Sequence, residues 1–178
     1  MVTTSKVGLL IAPRGTEDVE FAKPKAALEQ AGFKVVVIGL SGKLASTVEN
    51  DLDPAHDYPI DVLISHAKAD DYVALIIPGG TVGADQLRAE PAVIKLVNEF
   101  AAQEKIIASI CHGPWVLAEA GLVNDVTLTS FPSIRTDLEN AGASWKDQEV
   151  VIDQGIITSR NPKDIPAFNN AIIEALTS

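Results

Sequence analysis

The strongest constraint on the fold of this chain is an alternation. Four short apolar runs rich in β-branched residues, Val7 to Ala12, Lys34 to Leu40, Val73 to Ile77 and Ile106 to Ile110, are separated by longer segments with helical spacing. Runs without a polar face read as strands covered on both sides, the pattern of a parallel sheet. Lys25 to Ala31, closed by Gly32, and Pro91 to Gln103, with Val93, Leu96, Val97 and Phe100 on one face, read as helices. Pro91 suits a first helical turn and Gly32 a helix end. Strands alternating with helices require right-handed crossovers, so the expected class is α/β, with a mainly parallel sheet between two helical layers. At 178 residues, a single domain over 1–178 is expected.

Past the fourth strand, Pro114 to Ala120 and Ser133 to Ala141 read as helices, and Asp164 to Leu176, following Pro162, as a last one. Glu149 to Ile152 and Ile156 to Ser159 flank Asp153-Gln154-Gly155, a hairpin with Gly155 at positive φ. Ser41 to Pro59 is polar and weakly periodic, with Pro54 and Pro59, and reads as a loop holding at most one edge strand.

Charge and cysteine usage narrow the function. A formal net charge of -10 repels phosphate backbones and anionic headgroups, so neither nucleic acid nor membrane is an expected partner. The only cysteine, Cys111, cannot form an internal disulfide and fits a reducing compartment. Val7 to Ala12 is too short to span a bilayer and no small-residue cleavage site follows it, so a soluble, cytoplasmic protein is expected.

In an open parallel sheet, ligands bind beyond the carboxyl ends of the strands. Three turns there are chemically unusual. Ser109-Ile110-Cys111-His112-Gly113-Pro114 runs from strand straight into helix, with the layout of a nucleophile elbow. A helix start there favours a thiolate and would lower the thiol pKa. Pro78-Gly79-Gly80 allows close backbone approach, so that a glycine N–H and the N–H of His112 could form an oxyanion hole. Gly15-Thr16-Glu17-Asp18-Val19-Glu20 could deliver a carboxyl group to the sulfur, and Glu17, if buried and protonated, would donate to a thiolate. Each feature also has a plainer reading: an inert core cysteine, an ordinary glycine turn, a solvated acidic helix start. His112 either contributes only its amide or brings its ring to the sulfur. His56, within Asp53-Pro54-Ala55-His56-Asp57, lacks a ligand set, and His66 reads as a surface residue; no metal or cofactor is expected.

Ala108-Ser109-Ile110-Cys111-His112-Gly113-Pro114 resembles the cysteine elbow of the PfpI intracellular protease and ThiJ superfamily. The likeness extends to Glu17-Asp18-Val19-Glu20, Ile77-Pro78-Gly79-Gly80, Thr129-Ser130-Phe131-Pro132-Ser133-Ile134, Asn140-Ala141-Gly142-Ala143-Ser144-Trp145 and Thr158-Ser159-Arg160-Asn161-Pro162. The resemblance implies a flavodoxin-like sandwich of the class I glutamine amidotransferase type. It also implies Cys111 as nucleophile, Glu17 as its protonated partner, and Gly79, Gly80 and Gly113 with His112 around the oxyanion site. In PfpI-type proteins the histidine after the cysteine pairs with an acid from a neighbouring subunit. Asp85 is the best match here, so a homo-oligomer, at least a dimer, is implied.

Related amidotransferases carry a catalytic histidine far downstream of the nucleophile. This chain has three histidines and none after His112, so that glutaminase triad is absent. The expected function is a stress-related cysteine hydrolase acting on a carbonyl electrophile of a peptide, a glycation adduct or a small 2-oxoaldehyde. The competing expectation is a redox sensor or holdase chaperone in which Cys111 is oxidised without turnover.

Overall fold

The computed structural model describes residues 4–178. In chain order, strand β1 (Lys6–Leu10) and β2 (Arg14–Glu17) lead into helix α1 (Asp18–Gln30) and β3 (Lys34–Gly39). A hairpin of β4 (Leu44–Glu49) and β5 (Asp53–Pro59) follows, then β6 (Val62–Leu63), β7 (Ala74–Ile77), α2 (Thr81–Ala89), α3 (Pro91–Ala102) and β8 (Ile106–Ile110). The rest comprises α4 (Pro114–Glu119), β9 (Thr127–Leu128), α5 (Arg135–Asn140), β10 (Ser144–Trp145), β11 (Val151–Asp153), β12 (Ile156–Ser159) and α6 (Ile165–Thr177).

Seven strands form the central sheet in the order β11-β12-β8-β7-β1-β3-β6. All neighbours are parallel except the β11–β12 hairpin, so the expected mainly parallel sheet is present. Alternate residues of each strand enter different cores, as the two-residue period demands. Val7, Leu9, Val35, Val37, Ala74, Ile76, Ala108 and Ile110 pack with Phe21, Leu28, Phe168 and Ile172 of α1 and α6. Leu10, Val36, Ile38, Leu75, Ile77 and Ile107 pack against α3, α4 and α5 through Val93, Val97, Phe100, Val116 and Leu138. Both faces are covered, which is why the strands carry no polar face.

Chain direction places the site. The chain steps from β1 to β3 on one side, then returns to β7 on the other, so the order reverses between β1 and β7. Loops after those strands diverge there and leave a crevice at the carboxyl ends. The segments after β1, β7 and β8 all open onto it.

Two readings of the sequence change. Ser41 to Pro59 is a two-stranded hairpin, not a loop with one edge strand, and β4 also pairs with β2 in a small second sheet. Helix α1 begins at Asp18 rather than Lys25, with Pro24 inside it. The Thr81-Val82-Gly83-Ala84-Asp85 segment is the start of helix α2. The Gln154-Gly155 turn has both residues at positive φ, as a two-residue hairpin requires.

Candidate active site

Cys111 follows directly on β8 with a φ of 63°, a left-handed conformation that costs a non-glycine residue energy and is held by its surroundings. Its N–H donates to Ser159 O at 3.0 Å and its carbonyl accepts from Phe131 N at 2.8 Å, so the turn is pinned on both sides. Gly113 continues the turn where no side chain fits, since a Cβ there would lie 2.3 Å from Ser109 Oγ and 2.7 Å from Ile77 O. The result is a strained elbow that lifts a 7% exposed cysteine to the floor of a cavity of about 250 Å³. Glu17, Glu20, Asn50, Asp51, Gly80, Phe131 and Pro162 complete its lining.

The glycines after β7 are dictated by the same crowding. A Cβ on Gly79 would stand 2.7 Å from both Cys111 Cβ and Glu20 Oε1. Gly80, at φ 86°, would bring one to 2.1 Å from Gly15 O. Backbone N–H groups of Gly80 and His112 reach the Cys111 sulfur and favour its anionic form.

The carboxyl partner of the cysteine is Glu20, which corrects the expectation for Glu17. Glu17 caps α1 from outside, and its two oxygens accept from Asn50 N at 2.7 Å and Asp51 N at 3.0 Å, clasping the β4–β5 tip. Glu20 is fully buried, and neither of its oxygens has a well-formed hydrogen-bond partner. Burial pushes its pKa well above the carboxylate range, against the weaker pull of the Cys111 thiol and Gly80 N–H. The signal for Glu20 was present in the sequence: it shares a helix face with Pro24 and Leu28 at i, i+4 and i+8, and both are buried.

Burial also pushes the Cys111 thiol up, and a charged Glu20 would push it further. This corrects the expectation of a lowered thiol pKa. Two adjacent buried acids cannot both ionise, so the pair retains a proton between Glu20 and Cys111. The N–H groups of Gly80 and His112 pull the other way but are outweighed by burial and by Glu20.

The His112 ring does reach the sulfur. Nδ1 stands 3.2 Å from Cys111 Sγ, while Nε2 lies 3.3 Å from both Thr81 Oγ1 and Ser133 Oγ. Phe131 stacks on the ring with centroids 4.8 Å apart, and Trp115 meets its edge at 5.2 Å. Burial holds its pKa below the ordinary histidine value, against an upward pull from Asp51, which favours neutral imidazole. Asp85 is not among these contacts: it is exposed on α2 and paired with Arg88 at 2.9 Å. The acid that reaches a partner of His112 is Asp51, which accepts from Thr81 N at 2.7 Å and Thr81 Oγ1 at 2.9 Å. Sequence reading missed Asp51 because nothing in a polar stretch marks which residue becomes a hairpin tip.

The other two histidines lie elsewhere. His56 Nδ1 is 3.2 Å from Asp18, which also accepts from Thr47 Oγ1 and Tyr58 OH, and His66 is exposed in a turn beside β6. No cluster of three metal-ligating side chains occurs among the described residues.

A doubly covered, mainly parallel sheet with a strained cysteine elbow over its switch point defines a flavodoxin-like α/β protein built around one buried thiol. The chain belongs to the DJ-1/PfpI family, whose profile matches residues 5–175. It is 38% identical over 173 residues to a Bacillus subtilis (strain 168) protein named "Putative cysteine protease YraA", covering 97% of this chain and 99% of that one. Among solved structures it resembles a two-domain Anabaena variabilis protein with DJ-1/ThiJ/PfpI-like and ferritin-like domains (TM-score 0.90, 37% identity), covering 97% of this chain but 48% of that one. It also resembles Schizosaccharomyces pombe DJ-1, with a TM-score of 0.86 and 30% identity over 97% of this chain and 92% of that one.

Proposed function

We propose that this chain, as one domain, is a cysteine-nucleophile hydrolase acting on a small carbonyl electrophile, of the deglycase or glyoxalase-like kind in preference to peptidase action on folded protein. The observation that carries the reading is the elbow itself: Cys111 held at φ 63° with His112 Nδ1 3.2 Å from its sulfur. A strained turn that presents sulfur to a base and to a cavity is the arrangement nucleophilic catalysis requires. The cavity of about 250 Å³ favours a small substrate or a single modified side chain over an extended polypeptide.

In this reading the thiol proton passes to Nδ1 as sulfur attacks. The S–C bond forms and the carbonyl π pair moves to oxygen, stabilised by the N–H groups of Gly80 and His112. With a 2-oxoaldehyde His112 returns the proton to that oxygen, giving a hemithioacetal with no leaving group, and then carries a proton from C1 to C2 through the enediol, which leaves a 2-hydroxyacyl thioester. Water then attacks the thioester, and the thiol is restored. Glu20, kept protonated by burial, donates to the sulfur or to an oxygen bound there. A cytoplasmic setting, a role under stress and a homo-oligomer belong to the same proposal, as does the absence of nucleic-acid and membrane partners; among the described residues no helix is long and apolar enough to cross a membrane.

Cys111→Ser should abolish turnover across a panel of small aldehydes, glycated amino acids and peptides while the far-UV circular dichroism stays unchanged. Retained turnover rejects the reading. A second reading rests on Glu20, whose unpartnered buried carboxyl faces the thiol and would hydrogen-bond a sulfinic acid on Cys111, as a redox sensor or chaperone would need. No turnover by the reduced protein, with selective peroxide oxidation of Cys111, would favour it.

A further inference from the structure

We propose that Asp51 is a positioning residue which, through the Thr81 hydroxyl, fixes the proton on His112 Nε2 and leaves Nδ1 free to take the proton of Cys111. The proposal rests on the reading of His112 as base but is tested without turnover.

The direction of each hydrogen bond follows from chemistry. A carboxylate only accepts, so the Thr81 hydroxyl, 2.9 Å from Asp51 Oδ2, must donate to it. That hydroxyl then has only lone pairs for His112 Nε2 at 3.3 Å, so Nε2 carries the hydrogen and donates. Ser133 Oγ, at the same 3.3 Å, can accept from the same N–H. A neutral imidazole protonated at Nε2 is bare at Nδ1, the atom 3.2 Å from Cys111 Sγ. When the thiol proton arrives there, the imidazolium is stabilised by Asp51 across one hydroxyl.

The structure holds Asp51 in place for this. Asp51 and Asn50 both have positive φ, at 65° and 52°, and donate their N–H groups to Glu17. A strained tip clasped by a carboxylate is over-determined, as functional strain usually is. Glu17 and Glu20 from the β2–α1 segment line the cavity beside Cys111, and Trp115, which packs on the His112 ring, carries Arg88 of α2 4.3 Å over its face and donates to Asp137 of α5. None of these touches Nε2. The plainer alternative is that Asp51 merely caps α2, whose Thr81 N–H it accepts.

The test is the pH profile of Cys111 alkylation by iodoacetamide, with nitrogen NMR shifts of the His112 ring reporting its tautomer. In the native protein the Nε2–H form is expected, with a pH-independent shoulder of reactivity below the thiol's own ionisation, contributed by the thiolate–imidazolium pair. Asp51→Asn keeps an acceptor for the Thr81 N–H, but its amide donates to Thr81 Oγ1. The hydroxyl then donates to Nε2, and the hydrogen moves to Nδ1. The shoulder should fall by about tenfold or more, a part of the roughly 10²–10⁴-fold that a general base contributes. Thr81→Val, which cuts Asp51 off from the ring but leaves Ser133 Oγ to accept from Nε2–H, should lower the shoulder with the tautomer unchanged, Thr81→Ser should restore native behaviour to within about twofold, and Asp85→Asn should change nothing. An intact shoulder in both Asp51→Asn and Thr81→Val, with the native tautomer kept in Asp51→Asn, overturns the proposal and leaves a helix cap. If Asp51→Asn fails to fold, the Val and Ser variants of Thr81 decide alone. Failure to find any substrate would reject the hydrolase and leave this result standing.

Discussion

Glu17 and Glu20 are three residues apart and do opposite work. Glu17, at the edge of the site, stays close to solvent and holds two backbone N–H groups; Glu20, one helical turn on, faces Cys111 from the interior. The sequence shows an acidic cluster at a helix start, and only the helix phase tells which carboxyl turns inward. The raised pKa of Glu20 means that the native state holds its proton more tightly than the unfolded chain does. Stability therefore falls as pH rises above the ordinary value of 4.5 towards the raised one. Glu20→Gln removes this dependence while keeping the shape. Its stability advantage over the native protein should grow with pH from about 4.5, by up to about 1.4 kcal/mol per pH unit. Urea unfolding at a series of pH values measures it, and a difference that does not vary with pH would show that Glu20 is not perturbed.

Among the elements, the hairpin of β4 and β5 was the least legible. Its second strand, Asp53-Pro54-Ala55-His56-Asp57-Tyr58-Pro59, has two prolines and little apolar content, so neither propensity nor alternation marks it. What holds it is tertiary. Buried Asp18 accepts from Thr47 and Tyr58, Phe21 packs on the Tyr58 ring with centroids 4.6 Å apart, and Glu17 clasps the tip. Burial works to raise the Asp18 pKa, but those hydrogen bonds outweigh it and hold the carboxyl low. By contrast, β1, β3, β7 and β8 are buried on both faces and could be read almost to the residue. Hydrogen bonds to a charged acceptor contribute roughly 1.5–3 kcal/mol, so Glu17→Ala should speed amide exchange at Asn50 and Asp51 by about tenfold or more, with the β1 amides unchanged. Unaltered exchange at the tip would mean the clasp is not what orders it. The turn between β7 and α2 tolerates still less. Gly80→Ala combines a positive φ with a Cβ 2.1 Å from Gly15 O, and should destabilise the protein by roughly 2–4 kcal/mol in thermal unfolding.

At the scale of the whole molecule, the reversal of strand order between β1 and β7 gathers the site, and the hairpin beyond the sheet finishes it. The resemblance to PfpI-type proteins led to Asp85 as an acid supplied by a second subunit. In this chain Asp85 pairs with Arg88, and Asp51 reaches the Thr81–His112 edge from within the same subunit. The two arrangements make opposite predictions about dilution. If an acid crosses an interface, Cys111 reactivity below the thiol's own ionisation must fall as the oligomer dissociates, because His112 loses its partner. If Asp51 serves, reactivity is a property of one folded chain. The alkylation rate should then stay constant, to within about twofold, across the concentration range in which solution mass reports dissociation. The exposed Asp85–Arg88 pair contributes at most about 1 kcal/mol, so Asp85→Asn should leave the fold intact and serve as the control. A rate that follows the oligomer fraction, and is lost in Asp85→Asn, would return the acid to the neighbouring subunit and reduce Asp51 to a cap on α2.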